Sequence, residues 1–275
     1  LNIRLLRESR RHSVWVLAVD QRSDAAGRHF ADAFAAVPGG AGPGYVEAIS
    51  VLVARHRIDL VMPWSDEEAL ALAADRDRVE AAGARLTCAP LATLKAMSDK
   101  NASYELLARA GIRVPRSIFA ESAASLAKAV EHFTRESGEF VVKPVVARGN
   151  RGTIVVRRDV RGAESFMGSR ELHMDLDTFR RCHLAEVSLP AMVIERLFEP
   201  VYDIDVLAKD GRVLRAMPRR RLNPAGIPFT GGVLAPTAPL LDLADRITSA
   251  LALSWLYDYD IMTTADGIPV PIELN

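Results

Sequence analysis

The stretch FVVKPVVARGNRGTIVV, residues 140–156, places a cation-rich, glycine-containing loop between two strand-like runs. Lys143 ends the first run, and Gly149 and Gly152 stand in the loop. Glycine lets backbone N–H groups approach phosphate oxygens closely, and a lysine on the neighbouring strand adds a fixed positive charge. The stretch favours a phosphate-binding hairpin, with a solvated surface hairpin as the alternative. It is not the GxxxxGK[ST] loop, which does not occur in the sequence.

The segments after this hairpin predict a strand-rich second half of the chain. The runs AMVIER, YDIDVLA and GRVLRAMPR read as strands, and KDGR predicts a hairpin turn between the last two. A helix is expected over 239–256. The runs YDYDIM and PVPIELN then form a final strand pair across the turn ADG.

The first half of the chain has a different pattern of predicted elements. From residue 14 to about 98, apolar strands such as VWVLAVD and IDLVMPW alternate with helical segments. Near-continuous apolar strands in such alternation predict a parallel sheet with helices on both faces. Further helices are expected over 98–111, with Ser98 or Asp99 as N-cap and Gly111 as the stop, and over 122–136. The predicted fold class is therefore α/β for the first half of the chain and α+β for the second half.

The amino-acid composition limits the classes of protein to which the chain can belong. The 275 residues suggest two domains, and 49% apolar with 25% charged residues is normal for a globular chain. Lys plus Arg equals Asp plus Glu at 35 each, which argues against nucleic-acid or membrane partners. Two cysteines, Cys88 and Cys182, predict reduced thiols in a cytoplasmic protein. No apolar run approaches the roughly 20 residues that a membrane span needs.

The segment VIERLF, 193–198, falls between the expected smaller sheet and the rest of the chain. A hinge backbone can bind a purine edge while apolar neighbours stack on the base. Glu195 would then accept from an exocyclic amine. The alternative is a buried strand with one exposed glutamate.

The run MPRRRL, 217–222, brings three arginines together. On a strand, Arg219 and Arg221 share one face. Two convergent guanidiniums suit a phosphate or a carboxylate. A solvated charge run is the alternative.

Asp260, Glu273 and Asn275 supply oxygen ligands from two consecutive strands at the end of the chain. Mg²⁺ prefers few protein oxygens, with phosphate and water completing its shell. Carboxylates on adjacent antiparallel strands can meet across the pair. The sequence favours a magnesium site here, with acids on a wet sheet face as the alternative.

Taken in order, these pieces resemble the ATP-grasp superfamily, and most closely its carbamoyl-phosphate-synthase-like carboxylate–amine ligases. The resemblance covers nearly the whole chain. It rests on SDK before GIRVP, FVVKP with its glycine-rich loop, VIERLF, YDIDVLAKDGRV, and an aspartate thirteen residues before the glutamate of ELN.

The resemblance implies three parts. Residues 1–98 would be a Rossmann-like pre-ATP-grasp domain without its first strand. Residues 99–192 would hold a linker helix and the small ATP-grasp lobe, and 193–275 the larger lobe, truncated at its end. ATP would lie between the lobes with Mg²⁺, and a small-molecule carboxylate, activated as an acyl phosphate, would be attacked by a small-molecule amine. A homodimer is a further possibility, and the chain is expected to continue beyond both ends.

The resemblance also implies residue roles. The residues implied in ATP binding are Lys100 and Lys143 on the phosphates, Arg148, Gly149, Gly152 and Thr153 in a lid loop, and Glu195, Arg196 and Leu197 at the adenine. Those implied in binding Mg²⁺ are Asp260, Glu273 and Asn275. Arg219 and Arg221 stand where such enzymes hold an acyl phosphate or substrate carboxylate.

One position departs from the pattern. Val201 stands where many relatives have a glutamate that contacts the ribose, and Asp203 is the candidate substitute. This departure keeps open a non-catalytic or regulatory nucleotide-binding protein, and a biotin-carboxylase-like enzyme that uses bicarbonate is a third alternative. His132, His173 and His183 read as ordinary surface or packing histidines.

Overall fold

The computed structural model describes residues 2–145, 152–165, 171–222 and 231–275. It divides into two units, Leu1–Leu94 and Lys95–Asn275. None of the helices among the described residues has the length and apolar character needed to cross a membrane.

The first unit has the predicted alternation of helices and parallel strands. Its elements are α1 (Asn2–Arg7), β1 (Leu17–Asp20), a 3₁₀ turn (Ala26–His29), β2 (Ala33–Ala36), α2 (Tyr45–His56), β3 (Leu60–Val61), α3 (Asp66–Ala74), α4 (Arg76–Ala81) and β4 (Arg85–Leu86). Strand β1 pairs with β2, and β3 pairs with β4, both in parallel. Apolar residues of α2, α3, α4 and β4 form one buried core.

The helical segment after residue 65 forms two short helices. Ser65 caps α3, because its hydroxyl accepts from the Glu68 N–H at 3.3 Å. Asp75 then leaves the helical region with φ −127° and ψ 41°, so the segment forms α3 and α4 instead. An additional helix, α5 (Leu91–Ser98), contains the boundary between the two units.

The second unit contains two sheets. Its helices are α6 (Lys100–Arg109), α7 (Ala123–Glu136), α8 (Leu176–Thr178) and α9 (Ala238–Ala250). Its strands are β5 (Ser117–Ala120), β6 (Phe140–Pro144), β7 (Ile154–Val156), β8 (Ala163–Ser165), β9 (Leu172–Met174), β10 (Ala191–Glu195), β11 (Phe198–Lys209), β12 (Arg212–Arg221), β13 (Gly232–Leu234), β14 (Trp255–Thr263) and β15 (Pro269–Leu274).

The six-stranded sheet has the order β5-β10-β6-β7-β9-β8, and α7 packs against it. The five-stranded sheet has the order β13-β12-β11-β14-β15, and α9 packs against it. Strand β10 pairs with β5 and β6, so its hydrogen bonds place all of it in the six-stranded sheet. The domain boundary expected between residues 192 and 193 falls inside this strand.

Local chemistry explains where the elements of the second unit begin and turn. Asp99 is the N-cap of α6, and its carboxylate accepts from the Ala102 N–H at 2.9 Å. The predicted turn between β11 and β12 has Asp210 and Gly211 at φ 50° and 74°. Two residues with positive φ are what a tight hairpin of this kind needs.

Candidate functional site

The five-stranded sheet has one apolar and one polar face. In β11, Ile204 and Val206 are fully buried on the side of α9, so Asp203 and Asp205 project from the opposite side. Strand register aligns Asp203 with Arg219 of β12 and with Asp260 of β14. The same register continues from Asp260 to Glu273 of β15. The residues that form one polar row across four strands are Arg219, Asp203, Asp260 and Glu273.

Arg221 joins two carboxylates of this row. Its Nε donates to Asp203 Oδ1 at 2.9 Å, and its Nη2 donates to Asp260 Oδ1 at 2.7 Å. Burial opposes the charge of Arg221, but the hydrogen bonds to Asp203 and the charge of Asp260 raise its guanidinium pKa above the ordinary value. Arg219, two residues earlier, instead pairs with Asp205 at 2.8 Å and is more exposed.

Asp258 lies one step along the same face. Oxygens of Asp203, Asp258 and Asp260 lie within 4.8 Å of one another. Burial, and then the charges of Asp203 and Asp205, raise the pKa of Asp258 to about 6. Its buried Oδ1 has no hydrogen-bond partner among the described residues. Asp258 is not among the residues predicted from the sequence, although the alternation of YDYDIM places it on the same face as Asp260.

Helix α6 brings a lysine to the polar face. Lys100 is 6% exposed, and its Nζ lies 3.4 Å from Glu273 Oε1. Tyr104, one turn along, donates from its hydroxyl to the Ile272 carbonyl at 3.2 Å, which fixes the helix on β15. Asn275 pairs with Asp258 through its backbone, and its side chain is exposed.

A cavity of about 450 Å³ lies between the two sheets of the second unit. Apolar side chains line part of it, namely Val141, Val155, Ile194, Met262 and Ile272. Lys143 of β6 and Thr153, immediately before β7, line it on one side, and Arg221 and Asp260 of the five-stranded sheet line it on the other. An apolar chamber with charged groups at defined points is the usual form of a small-molecule site.

The predicted hinge borders this cavity, but the Glu195 side chain is engaged elsewhere. Its Oε1 accepts from the Arg116 backbone N–H and its Oε2 from Arg116 Nε, each at 2.9 Å. Arg196 Nη1 donates to Glu139 Oε1 at 2.6 Å. The carboxylate of Glu195 is therefore engaged by Arg116 rather than free to accept from an exocyclic amine.

The residues predicted from the sequence to form the site fall into three groups by their position relative to this cavity. Those that line the cavity are Lys143, Thr153, Glu195, Arg196, Leu197, Arg221 and Asp260. Those described but not lining it are Lys100, Gly152, Asp203, Arg219, Glu273 and Asn275. Arg148 and Gly149 lie outside the described residues.

Asp203, predicted as the substitute for a ribose-binding glutamate, is engaged by Arg221. Both of its carboxylate oxygens accept hydrogen bonds from Arg221, and the residue is 9% exposed. The sequence interpretation of Asp203 as a ribose contact is therefore not supported by its geometry.

Sequence reasoning missed a polar group on the six-stranded sheet. Arg157, Glu171 and His173 also line the cavity. The sequence predicts His173 only as an ordinary surface or packing histidine. The parallel pairing of β9 with β7 brings it to the cavity side.

Comparison with known proteins supports the fold. Residues 3–87 match the model of the PylC-like N-terminal domain family. A search of curated proteins finds no match.

Solved structures resemble the chain over most of its length. An L-amino acid ligase from Bacillus licheniformis is 18% identical with a TM-score of 0.62, and 89% of this chain aligns with 56% of that one. The ADP complex of purK, an N5-carboxyaminoimidazole ribonucleotide synthetase, is 16% identical with a TM-score of 0.66, covering 95% and 63%. The biotin carboxylase domain of a 2-oxoglutarate carboxylase from Hydrogenobacter thermophilus, with MgADP and bicarbonate, is 15% identical with a TM-score of 0.63, covering 95% and 58%.

The chain thus spans less than two thirds of the length of these three structures. At these identities the likeness establishes the fold. The chain shares the fold of these three structures, and the residues that match the PylC-like N-terminal domain family lie in its first unit.

Proposed function

We propose that the chain is part of an ATP-dependent ligase that activates a carboxylate as an acyl phosphate for attack by an amine. The observation that carries the proposal is the cavity between the two sheets, where Lys143 and Thr153 face Arg221 and Asp260. Groups of this kind position phosphates and offset the charge of phosphoryl transfer. The ADP and MgADP complexes of two structures with this fold support the choice of nucleotide.

The cavity residues divide into a base-binding and a phosphate-binding part. Val141, Val155 and Ile194 of one sheet and Met262 and Ile272 of the other would enclose the adenine. The backbone of 195–197 would bind its polar edge. Lys143 would hold the phosphates, and Lys100, which is fixed beside Glu273, would act at the same end of the site.

The residues near Asp260 fit a magnesium ion. Asp260 and Glu273 are direct cross-strand partners and offer carboxylate oxygens, which Mg²⁺ prefers. Burial raises the pKa of Asp260, and the carboxylates of Asp258, Asp203 and Glu273 raise it further against the opposing effect of Arg221. This crowding of acids suits a bound cation. Asp260, Glu273 and Asn275 would hold the ion, which would neutralise the phosphate oxygens.

Arg221 is the better placed of the two predicted arginines. It lines the cavity and is fixed by two carboxylates, whereas Arg219 does not line it and pairs with Asp205. A fixed guanidinium facing the phosphate end can stabilise the charge of an acyl phosphate as it forms. The amine would then attack the acyl carbon and form the carbon–nitrogen bond. The carbon–oxygen bond would break, phosphate would leave with its electron pair, and the amine nitrogen would lose a proton.

The test is a screen for ADP release by the full-length protein, with carboxylates combined with amines in the presence of Mg-ATP. Lys143→Gln should lower turnover strongly, and Lys209→Gln, which alters an exposed lysine at the end of β11, is the matched control. Saturating Mg-ATP should also raise the free energy of unfolding by about 2.7 kcal/mol at one hundred times Kd. An absence of both binding and ADP formation would refute the proposal.

A second candidate is a nucleotide-binding protein without turnover. Val201, an apolar residue 6% exposed, lines the cavity where the resemblance implies a ribose-binding glutamate, and Asp203 does not replace it. Mg-ATP binding without ADP release under any substrate pair would favour this candidate over the ligase.

A further inference from the structure

The polar face of the five-stranded sheet becomes apolar beyond the residues proposed to bind Mg²⁺ and phosphate. Leu207 of β11 lies two residues after Asp205 and is the register partner of Leu256 of β14. Alternation along both strands places these leucines on the same face as Asp203 and Asp260. The two leucines are 38% and 52% exposed. This end of the face is therefore an open apolar surface that adjoins the proposed site.

Two further residues extend this surface towards the edge of the sheet. Met217 of β12 is the register partner of Asp205 and is 51% exposed. Leu234 of β13 is the register partner of Arg219 and is 62% exposed. Direct and diagonal cross-strand neighbours lie close enough to form one continuous surface. The residues of this surface, which we call the apolar patch, are Leu207, Met217, Leu234 and Leu256.

An ion pair lies between the apolar patch and the proposed phosphate site. Arg219 Nη2 lies 2.8 Å from Asp205 Oδ2, and the two side chains are 38% and 48% exposed. Among the described residues, Arg219 pairs with no other carboxylate, and its Nε has no hydrogen-bond partner. Because an exposed pair of this kind contributes little to stability, it can open at low cost to bind a ligand.

Carboxylates outnumber cations at this position. Asp205 and Asp258 are cross-strand partners, and within the described part of the chain Arg219 alone forms an ion pair with either of them. A ligand with a cationic amino group would balance this charge, and its hydrocarbon part would cover the apolar patch. Strand residues rise about 3.3 Å each, so Asp258 lies about 6.6 Å along β14 from both Asp260 and Leu256. An amino acid with a branched or aromatic side chain spans such a step.

We infer that this face binds the amine substrate, and that the amine is an α-amino acid with a large apolar side chain. Its ammonium group binds Asp205, its carboxylate binds Arg219, and its side chain covers the apolar patch. The Asp205–Arg219 pair is thereby exchanged for two ion pairs with the zwitterion. The inference rests on the proposed function, which requires an amine within reach of the acyl carbon near Arg221 and Asp260.

The test compares amines in the ADP-release assay of the full-length protein, with Mg-ATP and the carboxylates of the substrate screen. Both enantiomers of leucine are compared with glycine, which lacks the side chain, and with 3-methylbutylamine, which lacks the carboxylate. The preferred enantiomer of leucine should have a kcat/KM at least about tenfold higher than glycine, because an apolar site discriminates by about this factor for a single methylene. The difference should lie mainly in KM.

Variants of the apolar patch locate the effect on this face. Leu256→Ser and Met217→Ser should each lower the ratio of kcat/KM for leucine over glycine several-fold. Val233→Ser is the matched control and should keep the parental ratio, because Val233 is 47% exposed and lies on the opposite face of β13 from Leu234. Arg219→Met should abolish the preference for leucine over 3-methylbutylamine, and it serves if the patch variants do not fold.

The outcomes distinguish this inference from the proposed function. Saturation-transfer NMR of the leucine methyl groups measures binding without turnover. Leucine binding that Leu256→Ser weakens, without ADP release by any substrate pair, supports the amino-acid site and overturns the ligase reaction. ADP release with equal kcat/KM for leucine and glycine, or a preference that the patch variants leave unchanged, overturns the inference alone. A parent that neither binds leucine nor releases ADP overturns both.

Discussion

Replacing Arg221 by methionine should destabilise the second unit far more than the same change at Arg219. Arg221 and its partners Asp203 and Asp260 have side chains only 11%, 13% and 15% exposed. Methionine fills a similar volume but leaves two buried carboxylates without their shared cation. Breaking a buried ion pair from one side costs about 3–5 kcal/mol, because the remaining charge stays desolvated.

Arg219→Met is the matched control on the same strand and the same face. Arg219 and Asp205 are 38% and 48% exposed, so water solvates both partners in the absence of the pair. Exposed pairs of this kind contribute about 0–1 kcal/mol. The two variants should therefore differ by at least about 2 kcal/mol in the free energy of unfolding.

Urea unfolding followed by tryptophan fluorescence can measure this difference in the second unit. Trp15 and Trp64 belong to the first unit, so replacing both by phenylalanine leaves Trp255 of β14 as the reporter. Adding Asp203→Asn to Arg221→Met should restore part of the lost stability, since one of the two unpaired buried carboxylates is removed. Equal effects of Arg221→Met and Arg219→Met would refute the reasoning from burial.

Three further predictions concern catalysis, a buried hydrogen bond and acid stability. Glu273→Gln should lower ADP formation by roughly two orders of magnitude while nucleotide binding persists; parental turnover in magnesium would contradict the metal role. Tyr259→Phe should cost about 1 kcal/mol, because it removes the 3.0 Å bond to Thr248, and an unchanged urea midpoint would contradict this. Hydrogen bonds, first from Arg113, lower the pKa of Asp266 from 3.8 to about 2. Asp266→Asn should therefore be less stable than the parent above pH 4, and the difference should shrink as pH falls from 4 to 2; a difference that is as large at pH 2 as at pH 5 would contradict it.

The strand alternation in the sequence was enough to predict one acidic face near the end of the chain. Asp260 and Glu273 were recognised because a period of two places each on the same side of consecutive strands. Which arginine reaches Asp260 depends on the register between β12, β11 and β14, which local sequence does not encode. In the structure, Arg221 donates a hydrogen bond to Asp260, and Arg219 pairs with Asp205.

Contacts between distant residues account for the other differences. The Glu195 carboxylate is held by Arg116, 79 positions earlier, so no feature of VIERLF reveals that it is engaged. Strand β9 has only three residues, too few to show a period, and its place beside β7 comes from a parallel pairing. Glu171 and His173 could not be assigned for that reason.

The alternating acids of β11 also restrict how the five-stranded sheet can assemble. A slip of one residue against β14 would turn Asp203 and Asp205 towards α9 and expose Ile204 and Val206. Placing unpaired carboxylates in that apolar core would cost several kcal/mol, so misaligned pairings are excluded during folding. The acids that hold Arg221 and Arg219 thus also specify the correct pairing. Changing several of these acids to apolar residues at once should yield misfolded or heterogeneous protein, even where each single change is tolerated.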